Sequence, residues 1–93
     1  MDDFSPTPEL VQRLAHYLRM NPLASDTEEG IGQWWLGIGP QELLKLPGAL
    51  AWLVAAGIVD AVTAADGRVR YRRATLDAAT DAWLDELITG NKP

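Results

Sequence analysis

Cysteine is absent from the 93 residues. That excludes disulfides, thiolate metal sites and thiol catalysis, and it fits a reducing compartment. Histidine is nearly absent too: His16 is the single one, and one histidine without cysteine cannot anchor an ordinary zinc site. No apolar run approaches the roughly 20 residues that a membrane-spanning helix needs. The first residues, Met1-Asp2-Asp3-Phe4, are acidic where a secretory signal is basic. The expectation is a soluble cytoplasmic protein without a membrane partner. Positive charge is scarce as well: eight Lys and Arg against thirteen Asp and Glu leave a net charge of −5. Such a chain repels nucleic acid at long range unless its cations are gathered on one surface.

Catalytic signatures are missing in the same way. The chain has no Gly-rich phosphate loop, no nucleophile elbow and no acid–base pair that spacing singles out. Gly37-Ile38-Gly39 is too short for a phosphate cradle. Asp26, Glu28 and Glu29 lack the ligand spacing of a calcium loop and read as carboxylates at a helix start. No enzymatic activity, metal or cofactor is expected.

The remaining material suits one domain spanning residues 1–93, with a core over 8–89 and loose termini at 1–6 and 90–93. Thr7-Pro8-Glu9 opens a helix, whose face is Leu10, Val11, Leu14, Tyr17 and Leu18, and Asn21-Pro22 stops it. Ser25 with Glu28, and Asp26 with Glu29, form two overlapping capping boxes. The second helix follows with the stripe Ile31, Trp34, Trp35 and Ile38, and Gly37 is expected to end that helix. Pro40-Gln41-Glu42 opens a third helix that runs to Gly57 with the stripe Leu43, Leu46, Leu50, Leu53 and Val54. The stripe keeps phase across Pro47, so one kinked helix is expected rather than two.

After Gly57 the pattern alternates. Residues 58–63 and 68–73 read as two strands, and Asp66-Gly67 between them predicts a two-residue turn that pairs Val62 with Tyr71 and Asp60 with Arg73. A last helix carries Leu76, Ala79, Trp83 and Leu87 on one face, with Thr75 as its cap. Trp34, Trp35 and Trp83 are expected in the core. Trp52 falls off its stripe, so either the last helix or a partner covers it. His16 lies with Gln12 and Arg19 on the polar side of the first helix, where a solvated role is expected.

Three helices, a β-hairpin and a closing helix, in that order, resemble a winged helix-turn-helix domain. The likeness is carried by Thr27-Glu28-Glu29-Gly30-Ile31, by Leu50, Leu53, Gly57, Ile58 and Val59, and by Asp66-Gly67-Arg68. In bacterial regulators of this superfamily, a recognition helix ends in Leu-x-x-Leu-x-x-x-Gly-hydrophobic-Val and runs into the wing. The resemblance covers roughly residues 8–73, and one fold hosts many functions.

It implies a third helix laid in the major groove with polar side chains turned outward. The face opposite the core stripe holds Gln41, Leu44, Lys45, Gly48, Trp52 and Ala55, of which only Gln41 and Lys45 suit DNA. Leu44, Gly48, Trp52 and Ala55 instead suggest a dry surface for a protein. The wing points the other way: Arg68, Arg70, Arg72 and Arg73 crowd into six positions. Arg68, Arg70 and Arg72 are expected to share one face and could hold phosphates, or could be the charged guard of a solvated edge strand. The leading expectation is a protein-interaction module, including self-association, through the third helix. The alternative is a DNA-binding regulator using Gln41, Lys45 and the three wing arginines.

Overall fold

The computed structural model describes residues 8–89; the termini expected to be loose, and the Thr7 cap, lie outside that span. The first helix, α1 (Pro8–Met20), has the expected face: Leu10, Val11, Leu14 and Leu18 are buried with Ala15. Tyr17 at its rim stacks on Trp35, with ring centroids 4.6 Å apart and planes 9° from parallel.

The segment Ser25–Thr27, expected to be helix caps, forms a strand instead, β1. Neither capping box forms. The Asp26 carboxylate accepts from the N–H of Thr27 at 2.7 Å, and Thr27 is the cap of α2 (Glu28–Gly30), its hydroxyl accepting from Gly30 N–H. A side chain at position 30 would collide with the Asp26 carboxylate, so glycine there lets the strand-to-helix corner close.

From α2 the chain runs straight into a wider π-type stretch, Ile31–Leu36, which ends at Gly37 in the left-handed region. Bonds reaching five residues back advance each residue by a smaller angle than the α-helix does. Ile31 and Leu36 therefore turn inward and Trp35 packs against the core, while Trp34 swings out and is 73% exposed. The core position expected for Trp34 is overturned by that local unwinding.

The third helix is two helices. α3 (Pro40–Leu43) ends at a turn in which Leu44 and Lys45 donate to carbonyls three residues back, and α4 runs from Leu46 to Ala55. Pro47 has no N–H to continue the α3 ladder and suits the first turn of a new helix. Leu46, Ala49, Leu50 and Leu53 are buried, whereas Leu43 sits at the margin of the core. Gly57 (φ +80) ends α4. Its N–H reaches Val54 and that of Ile58 reaches Leu53, a Schellman closure that turns the chain into the sheet.

That sheet has three antiparallel strands in the order β1-β3-β2, with β2 at Val59–Thr63 and β3 at Val69–Arg73. The expected hairpin exists, but its register is shifted by one. Val62 faces Arg70, Ala61 faces Tyr71 and Asp60 faces Arg72. Ala64 donates to Arg68 and Gly67 donates to Ala64, so the loop has three residues with only Gly67 (φ +86) left-handed. β3 is the central strand, which removes the edge-strand reading of its arginines.

The last helix, α5 (Ala78–Thr89), buries Thr80 and Leu84 and leaves Ala79 and Trp83 exposed, while Leu76, expected on its face, lies ahead of the helix and is exposed too. Its apolar residues surround the axis, so two phases were open to the pattern. The anchors that choose between them are polar. Asp77, not Thr75, caps the helix by accepting from Thr80 N–H at 2.9 Å, and Asp81 meets Arg73 at 3.0 Å. The core lies between α1, the π stretch, α4, the start of β2 and α5. Described residues therefore form a mainly helical fold with a small three-stranded antiparallel sheet, and among them no helix is long and apolar enough to cross a membrane.

Candidate functional site

α4 is built from Leu-Pro-Gly-Ala-Leu-Ala-Trp-Leu-Val-Ala and carries no polar side chain at all. A helix that is apolar all round is normally enclosed. This one is enclosed on one side only: Pro47, Gly48, Ala51, Trp52 and Ala55 are exposed. Gly48, Trp52 and Ala55 follow at helical spacing and share one side, and Leu44, in the turn just ahead, is 82% exposed. A side chain added at Gly48 would meet open space, so among the described residues nothing overhangs this part of the helix. All four residues expected to face a protein partner do lie on the surface. Trp52 is 37% exposed, so no element among the described residues encloses it.

Sequence reasoning missed Pro47 and Ala51 as members of the surface. Both lie beside Gly48 and Trp52 on α4 and widen its exposed side.

Gln41 and Lys45 are exposed too, at the α3 end. Arg68, Arg70 and Arg72 do not act as a group. Arg70 and Arg72 occupy alternate positions of β3 and so share one sheet face. There Asp60 stands directly across from Arg72, and Arg70 donates to the Ser25 carbonyl. Arg68, ahead of the strand, lines a groove of about 520 Å³ with Thr27, Glu28, Glu29, Val69 and Tyr71, so its surroundings are acidic.

No family model, curated protein or solved structure matches the chain. The reading of this surface rests on its own chemistry.

Arg73, the fourth arginine of the run, is not at the surface. It is 5% exposed, and its partner is Asp81 of α5, not the Asp60 expected from the sequence. Its Nε donates to the Thr75 carbonyl, while its Nη2 meets Asp81 as a close ion pair rather than an aligned hydrogen bond. Arg19 of α1 joins the same carboxylate row, 3.8 Å from Asp81 and 3.0 Å from Asp85. Two of the chain's eight cations thus clamp the sheet and α1 to α5 and are not available to a ligand.

A second groove, about 330 Å³, runs between α1, Trp35 and the end of α5. His16 lies on its wall, exposed as expected. Gln12 and Arg13 beside it donate to the carbonyls of Ile88 and Leu36. These donors close two helix ends where carbonyls lack partners. Spacing could not reveal those bonds, since their partners are 76 and 23 residues distant.

Proposed function

We propose that the protein is a non-catalytic interaction module of the winged-helix type. It binds a protein partner through the outer side of α4, with Leu44, Gly48, Trp52 and Ala55 at the contact. The observation that carries this reading is an exposed side of a helix without one polar side chain. Contiguous apolar surface of that kind marks association sites, and a half-covered tryptophan is the residue type that anchors them. The small residues Gly48, Ala51 and Ala55 leave room for close approach by a partner's backbone or side chains.

The test is a photo-crosslinking residue at position 48 in the full chain, made in its own cells. A discrete protein adduct that Trp52→Glu abolishes, with the variant still folded, supports the reading. No adduct, or one indifferent to Trp52→Glu, overturns it. Global unfolding of Trp52→Glu would show that the ring is structural; Ala55→Glu, at a site outside the core, then gives the same comparison.

The second reading, a DNA-binding regulator, is favoured by Arg70 and Arg72 on one exposed sheet face and by exposed Gln41 and Lys45. It requires binding that weakens steeply with salt and with neutralisation of the arginines. The carboxylates beside Arg68 and Arg72 and the apolar α4 surface weigh for the protein reading.

A further inference from the structure

The two edges of the sheet are treated differently. β1 is three residues long, and an outward backbone group at each of its end residues is occupied by a side chain. In its pairing with β3, Asp26 lies opposite Tyr71, and Ser25 and Thr27 flank it. Arg70 and Arg72 share their ladder bonds with β2, so the β1 bonds fall at Asp26, and Ser25 and Thr27 point their backbone groups away from the sheet. The outward N–H of Thr27 is taken by the Asp26 carboxylate, and the Ser25 carbonyl accepts from Arg70. This short edge is thus partly covered by its own side chains.

β2 has no such cover. Bonds from Ala64 to Arg68 and from Ala74 to Ile58 mark the two ends of its ladder. Antiparallel alternation then directs the backbone groups of Asp60 and Val62 toward β3 and those of Ala61 and Thr63 outward. Among the described residues nothing bonds to these outward groups. Residues 60–63 are all exposed. The strand has no proline, bulge or lysine, the usual guards of an edge, and its single charge, Asp60, stands across from Arg72.

We propose that this edge pairs with the same edge of a second copy, antiparallel about Val62, extending the sheet to six strands across a two-fold axis. The occupant is a second copy because the edge is self-complementary in that register. Ala61 of one copy bonds with Thr63 of the other and the reverse, satisfying the open groups of those two residues in both strands. Val62, an exposed apolar side chain, meets Val62 of the second copy. Asp60 meets Ala64 of the second copy, so no like charges face each other at the junction, and each Asp60 keeps its own Arg72 on its far side. Such an isologous contact closes on itself and stops at two chains. It does not depend on the α4 reading.

The measurement is solution mass by light scattering over a range of concentrations. The full chain is expected to approach twice its monomer mass as concentration rises. Ala61→Pro removes only an outward N–H and spares the ladder with β3; it is expected to hold the monomer mass with its circular dichroism unchanged. Val62→Lys, which sets two cations face to face, gives the same result by a different route should Ala61→Pro fail to fold. A wild-type monomer at the highest soluble concentration overturns the proposal. So does a dimer that survives in either folded variant, or one lost in Trp52→Glu but kept in Ala61→Pro, which would place the contact on α4. Loss of the α4 crosslink with the dimer intact sinks the α4 reading alone.

Discussion

Asp77 and Asp81 lie four residues apart on one helix and do different work. Hydrogen bonds from the Thr80 N–H, then from the Thr80 and Thr75 hydroxyls, hold the Asp77 carboxyl below its usual range. A group whose folded value is depressed contributes stability above its unfolded value, about 3.9 for aspartate, and that contribution fades as pH falls through the folded value. Thermal melts of Asp77→Asn are therefore expected to fall less steeply than wild type as pH drops below about 4, because asparagine still caps but does not titrate. Parallel curves would show that the carboxylate contributes nothing there. Asp81 instead neutralises a buried arginine. Asp81→Asn leaves Arg73 with an uncompensated charge, at a cost of about 2 kcal/mol, below the fully buried range because Asp81 is partly solvated. Arg73→Met, which removes the charge and keeps the volume, is expected to cost less. Urea titrations of both variants check the order, and the reverse order would mean that the ion pair itself is strongly stabilising.

At the scale of elements, the widened turn at 31–36 separates two adjacent tryptophans that look equivalent in the sequence. Trp35 packs against the core and stacks on Tyr17, whereas Trp34 faces solvent. Trp35→Ala is expected to destabilise the domain by about 3 kcal/mol, and Trp34→Ser by no more than about 0.5 kcal/mol, both read from urea midpoints. Similar losses would mean that Trp34 is covered in solution. The same stretch explains Gly32, where a side chain would run into Leu43; its absence lets α3 lie close against the π turns. Pro47 acts at this scale too. It marks the first turn of α4 rather than a bend in a longer helix, which frees the outer side of α4 to be uniformly apolar.

For the molecule as a whole, charge distribution decides between partners. The chain carries −5 overall, Arg19 and Arg73 are engaged by carboxylates of α5, and Arg68 looks onto Glu28 and Glu29. With Arg13 donating to the Leu36 carbonyl, the cations left for phosphates among the described residues are Arg70, Arg72 and Lys45, a small positive surface on an acidic body. Mixed with random duplex DNA at low salt, the protein is expected to elute at an unchanged mass. A salt-sensitive shift would promote the regulator reading over the interaction module.

Several features were legible in the residues alone. The α1 face, the Gly57 closure and the alternation of the two hairpin strands each depend on local periodicity or on one backbone conformation that glycine accepts. The outward position of Leu44, Gly48, Trp52 and Ala55 was legible for the same reason, since helical spacing survives a break that falls ahead of most of them. What the residues left open needed the rest of the fold. β1 has no strand pattern of its own and exists because β3 presents a second edge to it. The phase of α5, apolar on every side, is selected by Asp77 at its start and by the buried charge of Arg73 arriving from β3. Trp34 leaves the core because the turn beneath it is widened, and the hairpin slips by one residue because its loop closes on Gly67 alone. Local sequence could specify what depends on neighbours within a turn or two; strand order, helix phase and charge pairing are settled by contacts between residues distant in the chain.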